Sequence, residues 1–302
     1  LEAHMAKFGG AMTALVTPMH EDESVDYEGF RALVKRQLEG GIDGILPLGT
    51  TAETPTLTED EEDEIIKIAF EEVRAFEKAT GKKILVTLGA GSNCTRDAVR
   101  YCERAKKAGA DAALAVTPYY NKPSQEGIFK HFEACSKVGI PIVVYNIQGR
   151  TSVNIATETL LKIADLPNVI AVKEASGNIT QMDDIIKNKP ENFDVISGDD
   201  GITFPLITLG AVGVISVIGN AFPREFSRMT RLALQGDYNN ALTIHHKFTE
   251  LFSLLFVDGN PAGVKAMLNM MGMIENKLRL PLVPAREVTC EQLQTAWKSL
   301  KF

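Results

Sequence analysis

The chain has 302 residues, 45% hydrophobic and 24% charged, with a formal net charge of −7. That balance excludes a disordered polymer, and the acidic sign, with no basic stripe along the chain, argues against a nucleic-acid partner. No apolar run approaches the roughly 20 residues of a membrane-spanning helix, and the four cysteines lack the paired short spacings of a zinc site. They are expected as reduced thiols of a cytoplasmic protein whose partner is a small molecule.

Residues 1 to 4, at the head of "LEAHMAKF", are expected to be a cloning remnant ahead of Met5. From residue 9 onward, short apolar runs rich in β-branched residues alternate with longer amphipathic stretches, the pattern of βαβ units. The strands are expected in "GGAMTALVTP", "GILPLG", "KILVTLGA", "AALAVTPYY", "PIVVYNI", "VIAVKEA", "FDVISG" and "GVISVIG". Between the second and third, Thr58 in "TEDEEDEII" is followed three residues later by Glu61, a capping box that starts a solvated helix. The strands are apolar at nearly every position, as in a parallel sheet covered by helices. Eight of them, with no GxGxxG loop, point to a closed (β/α)8 TIM barrel in place of an open doubly wound sheet. After "GNAFPREF" the chain reads as helical, with breaks at Gly236-Asp237, Gly259-Asn260-Pro261 and Pro281. Two parts are therefore expected: a barrel over 5–223 carrying the active site, and a C-terminal helical appendage over 224–302.

In such a barrel, chemistry sits at the C-terminal strand ends. The polar residues emerging there are Thr17, then Thr50, Thr51 and Glu53, then Asn93, Tyr119 and Tyr120. Tyr145, Asn146 and Arg150 follow, then Lys173, Gly198, Asp199 and Ser216. They are expected to converge on one opening. Lys173 is central, because a lysine reached directly from a buried strand loses hydration and becomes easier to hold as the neutral amine. A neutral amine can attack a ketone to form a Schiff base. The competing reading is a lysine that snorkels and pairs with Glu174. Tyr145, on the neighbouring strand, offers a phenol that can relay protons to a carbinolamine, or else a ring packed on the core with its hydroxyl on a carbonyl. Tyr120, Thr50 and Thr51 also have a plain alternative as turn residues satisfying local backbone. Only the constellation distinguishes these readings. His245 and His246 are sequential and point to different sides of a helix, so no metal site is expected from them. Asp199-Asp200 is read as capping or structural.

Five ordered segments then carry a resemblance: "GTTAETPTLT" (49–58), "VTPYYNKPSQEGIFKHF" (116–132), "VVYNIQGRT" (143–151), "VIAVKEASGN" (169–178), and "ISGDDG" with "GAVGVIS" (196–216). They closely resemble the dihydrodipicolinate synthases, class I aldolases of the N-acetylneuraminate lyase superfamily, over nearly the whole chain from residue 7. The resemblance implies that Lys173 forms a pyruvate imine and Tyr145 is its general acid and base, with Thr50 and Tyr120 as relay partners. It implies further that Thr51 binds the pyruvate carboxylate, that the Ile215 carbonyl faces the pyruvate, and that Arg150 receives the carboxylate of L-aspartate-4-semialdehyde. No metal or cofactor is implied. Family members are commonly homotetramers built as dimers of dimers, in which Tyr119 or Tyr120 reaches a neighbouring subunit. Asn93, Asp97 and Tyr119 resemble parts of the family's regulatory lysine site. Two departures, Ala52 for the usual glycine and Gln148 where proline is frequent, bear on substrate fit and not on reaction class. The implied activity is the entry step to lysine and diaminopimelate. The alternatives are a sister aldolase acting on sialic acid or 2-keto-3-deoxy sugar acids, and a catalytically silent sensor of keto acids. Arg150 favours the synthase, because a sugar-acid aldolase needs hydroxyl-reading groups at that place.

Overall fold

In the computed structural model, which describes residues 8–301, eight short strands alternate with helices. The expected cloning remnant at 1–4 lies outside the described residues. β1 (Gly10–Ala14) leads to α1 (Tyr27–Glu39), β2 (Gly44–Leu46) to α2 (Glu59–Thr80), and β3 (Leu85–Gly89) to α3 (Thr95–Ala108). β4 (Ala112–Val116) leads to α4 (Gln125–Ser136), and β5 (Ile142–Asn146) to the single turn α5 (Gln148–Thr151) and then α6 (Thr157–Ala164). β6 (Val169–Glu174) leads to α7 (Ile179–Asn188), β7 (Asp194–Ser197) to α8 (Thr203–Leu209), and β8 (Gly213–Ser216) to α9 (Pro223–Leu234). Every strand runs parallel to the next, and β8 pairs with β1 to close the barrel.

The closure explains why these strands are apolar on both faces. Alternate residues point to opposite sides of a strand. Met12, Leu46, Leu114, Val143, Ala171, Ile196 and Ile215 fill the barrel interior. Their neighbours Ile45, Val86, Ala113, Val144, Val172 and Val195 pack outward under the helices. The capping box at Thr58 and Glu61 is formed as expected, with Thr58 Oγ1 accepting from Glu61 N and Glu61 Oε2 accepting from Thr58 N.

Several apolar runs are longer than the strands they contain. "GILPLG" is strand only to Leu46, because Pro47 has no N–H for the ladder and Leu48 turns to φ +58. Two 3₁₀ turns follow, Thr50–Ala52 and Thr54–Thr56. This loop lies directly on β3: a Cβ on Gly89 would come within 1.7 Å of the Leu48 carbonyl oxygen, so only glycine fits there. The run ending in Tyr119-Tyr120 leaves the sheet after Val116, and the last run leaves it after Ser216. The excess length forms the loops at the catalytic end.

The boundary expected after residue 223 needs correction. α9 occupies the eighth place in the helical ring, with Ser227 Oγ donating to the Gly40 carbonyl (3.1 Å) and Arg231 to the Gly41 carbonyl (2.6 Å). The helices outside the ring are α10 (Tyr238–Leu254), α11 (Ala262–Met270) and α12 (Glu287–Ser299). They are joined to the barrel through one apolar cluster that includes Val16, Val214, Phe222, Phe226, Phe248 and Leu268. His245 belongs to this packing, with its ring 5.6 Å from that of Phe204 and 5.3 Å from that of Phe252.

Candidate active site

Barrel order makes β5 and β6 neighbours, and their register sets Tyr145 directly beside Lys173. Lys173 Nζ lies 4.2 Å from the centroid of the Tyr145 ring, and the two residues are only 5% and 6% exposed. Burial dominates the amine's acidity and takes it from 10.5 down to about 7, with Asp200 pulling up and Arg150 pushing down. The Tyr145 phenol moves the opposite way, to about 12, again chiefly through burial. At neutral pH the site therefore offers a partly neutral amine against a protonated phenol. Glu174 does not pair with Lys173. As the next residue on the strand it takes the other face, where it accepts from Asn146 Nδ2 and Ser176 Oγ, both at 2.8 Å.

A cavity of about 500 Å³ opens above this pair, and Thr50, Thr51, Tyr145, Arg150, Lys173 and Gly198 are on its wall. Gly198 makes room for the amine: a methyl group there would stand 3.0 Å from both Cγ and Cε of Lys173. Arg150 is exposed at the mouth, on the loop after β5. Tyr119 also reaches the wall.

Other expected members do not converge. Thr17 uses its hydroxyl on the Ala52 carbonyl (2.8 Å), and Ser216 Oγ accepts from Gly219 N (2.9 Å). Asn146 serves the network around Glu174, and the Asn93 carbonyl takes the Asn121 amide (2.8 Å). Asp199 caps the turn that follows it by accepting from Gly201 N (2.8 Å). Glu53 is buried at φ +58 and pairs with Lys265. The Ile215 side chain packs in the barrel interior. Tyr120 is 88% exposed at φ +73 and outside its own chain's cavity. The Thr17, Asn146, Asp199, Ser216 and Glu53 side chains are each claimed by a local backbone group or a distant partner, which their place at a strand end does not reveal.

Two further residues bear on the site, one of which, Asn260, escapes the sequence reading. Asp200 is fully buried, with Oδ2 accepting from Val217 N (3.0 Å) and Ile218 N (2.7 Å), and burial raises its carboxyl to about 6. Of the Asp-Asp pair read as capping or structural, Asp199 caps and Asp200 holds the backbone after β8. Asn260 donates from Nδ2 to Thr51 Oγ1 (2.9 Å) and lines the cavity. In the sequence it stands in a helix break, with nothing local to mark it.

A closed parallel barrel whose one strand end presents a desolvated lysine against a phenol, under a mouth carrying arginine, defines a lyase of the Schiff-base, class I aldolase kind. The chain belongs to the dihydrodipicolinate synthetase family, whose model matches residues 7–300. It is 64% identical over 295 residues to a 4-hydroxy-tetrahydrodipicolinate synthase of Phocaeicola vulgatus, covering 97% of each chain. The fold matches the crystal structure of dihydrodipicolinate synthase from Aquifex aeolicus with a TM-score of 0.91 at 41% identity, over 96% of this chain and 97% of that one. It also matches the chloride-inhibited dihydrodipicolinate synthase of Acinetobacter baumannii complexed with pyruvate, with a TM-score of 0.91 at 37% identity, over 97% and 98% of the two chains.

Proposed function

We propose that the chain catalyses the 4-hydroxy-tetrahydrodipicolinate synthase reaction, condensing pyruvate with L-aspartate-4-semialdehyde in lysine and diaminopimelate biosynthesis. The observation that carries this reading is the Lys173–Tyr145 pair, an amine held near neutrality 4.2 Å from a phenol ring at the floor of the cavity. The neutral amine adds to the ketone carbon of pyruvate, Tyr145 supplies the proton with which the carbinolamine oxygen leaves as water, and an imine remains. The imine draws electrons from the adjacent methyl, which loses a proton to give an enamine. That carbon attacks the aldehyde, whose oxygen takes up the proton the methyl gave, and attack of the second substrate's own amine on the imine carbon closes the ring and frees Lys173.

Thr51 would bind the pyruvate carboxylate, and the Ile215 carbonyl would face the pyruvate from the barrel interior. Arg150, exposed at the mouth, would clamp the second carboxylate with its planar donor fork. Thr50 would connect Tyr145 to Tyr120 of a neighbouring copy. The exposure of Tyr120 and its left-handed backbone support that assignment, because a large aromatic held at a strained φ in solvent gains nothing within its own chain. The assembly would then be a homotetramer made as a dimer of dimers. No helix among the described residues is long and apolar enough to cross a membrane, and the four free cysteines suit a reducing cytoplasm.

A coupled turnover assay comparing aspartate semialdehyde with N-acetylneuraminate and keto-deoxy sugar acids tests the substrate. Incubation with pyruvate and cyanoborohydride should leave a stable adduct on Lys173 by peptide mass spectrometry. An adduct elsewhere, or turnover only with sugar acids, would overturn the assignment.

A further inference from the structure

The loop that carries Thr50 and Thr51 closes its own turns with short-range hydrogen bonds, such as that from Thr54 Oγ1 to the Gly49 carbonyl (2.9 Å). It consists of two single 3₁₀ turns joined at Glu53, a non-glycine residue at φ +58. Residues from beyond the helical ring hold it in place. The Glu53 carboxylate pairs with the Lys265 ammonium of α11, and neither side chain has any exposure. Glu53 Oε2 also accepts from Arg279 N (3.1 Å), and Arg279 Nη1 donates to the Thr56 carbonyl (2.7 Å) and to Glu61 Oε2 (2.7 Å). A further tether is Asn260, between α10 and α11, whose amide nitrogen donates to Thr51 Oγ1 at 2.9 Å.

A threonine hydroxyl has one proton to give and two acceptor sites. Because Asn260 occupies an acceptor site, the only proton of Thr51 stays free for another partner. Both residues are buried, and both are on the wall of the cavity that holds Lys173. The hydroxyl is thereby presented to a ligand as a donor, which is what a carboxylate, having only acceptors, requires. Asn260 Oδ1, also buried, has no hydrogen-bond partner, so the side chain is not placed there to cap its own segment.

We infer that Asn260 is a positioning residue that fixes the donor direction of the Thr51 hydroxyl toward the keto-acid carboxylate, making the C-terminal helices part of the pyruvate-binding machinery. The identity of the anion rests on the function proposed above.

The test is Asn260→Asp, which keeps the side-chain shape and exchanges the donor for an acceptor. Thr51 must then give its proton to the new carboxylate and turn lone pairs toward the anion. The pyruvate concentration that half-saturates adduct formation on Lys173 should rise about tenfold or more, and the KM for pyruvate with it. The KM for aspartate semialdehyde should stay within about twofold, because only one substrate touches Thr51. A role confined to packing would lower the thermal midpoint and kcat and move both KM values together. An unmoved pyruvate half-saturation in the folded variant overturns the inference. Should Asn260→Asp fail to fold, Asn260→Ala is measured alone and together with Thr51→Val. A further loss when Asn260→Ala is added to Thr51→Val would overturn the inference, whereas no further loss supports it. Wild-type trapping is the control for the proposed function: without it that reading falls and takes this ligand with it, while normal wild-type trapping beside an unmoved variant removes this inference alone.

Discussion

Imine formation at Lys173 should titrate near neutrality. An ordinary lysine at 10.5 is neutral for only about 3 molecules in 10⁴ at pH 7, whereas an amine at about 7 is neutral for about half, a gain of roughly 10³ in nucleophile. With saturating pyruvate and a short cyanoborohydride pulse, the initial rate of adduct formation should be about one tenth of its plateau at pH 6 and about nine tenths at pH 8. Peptide mass spectrometry reads both site and rate. The same burial has a consequence for stability, and its sign follows from the folded pKa lying below the unfolded one. Below pH 7 the lysine is charged in both states and the buried charge is fully costly. Between about 7 and 10.5 the unfolded chain binds more protons than the native one, so wild-type stability rises with pH by at most about 1.4 kcal/mol per unit. Lys173→Met, which carries no charge, should therefore be more stable than wild type by the widest margin below pH 7, and the margin should close toward pH 10.5. A trapping rate still climbing tenfold per unit at pH 9, or a margin independent of pH, would refute the desolvation argument.

Tyr145→Phe keeps the buried ring and removes the proton carrier, so kcat should fall by about 10²- to 10⁴-fold with an unchanged circular dichroism spectrum; near-normal turnover would assign the residue to packing. Arg150→Leu should reduce kcat/KM for aspartate semialdehyde at least tenfold, since truncating a charged partner of a carboxylate costs about 2 to 5 kcal/mol. The same variant should move the trapping midpoint upward, because Arg150 holds Lys173 down; a midpoint displaced downward would contradict this. Lys265→Met leaves the Glu53 carboxylate buried without its counter-charge and should cost about 3 to 5 kcal/mol in urea unfolding. Adding Glu53→Gln should recover part of that loss, and no recovery would mean that Lys265 acts by packing alone.

Much of this architecture is local in origin and so was legible in the chain itself. Apolar runs such as "PIVVYNI" and "VIAVKEA", each followed by an amphipathic stretch, determine eight parallel strands, and consecutive order in a barrel makes the fifth and sixth neighbours. That alone brings Tyr145 beside Lys173, and the capping box at Thr58 sets the start of α2. Periodicity says where a side chain sits along its own element, but not what it meets from elsewhere. Thr17 is drawn to the Ala52 carbonyl, Asp200 to the amides of Val217 and Ile218, and α9 into the ring beside α1. Thr51 owes its orientation to Asn260, 209 positions away, and Glu53 its burial to Lys265. Such pairings arise only when the whole barrel closes and the C-terminal helices settle on it, because a buried polar group must take whichever partner the closed structure brings within reach.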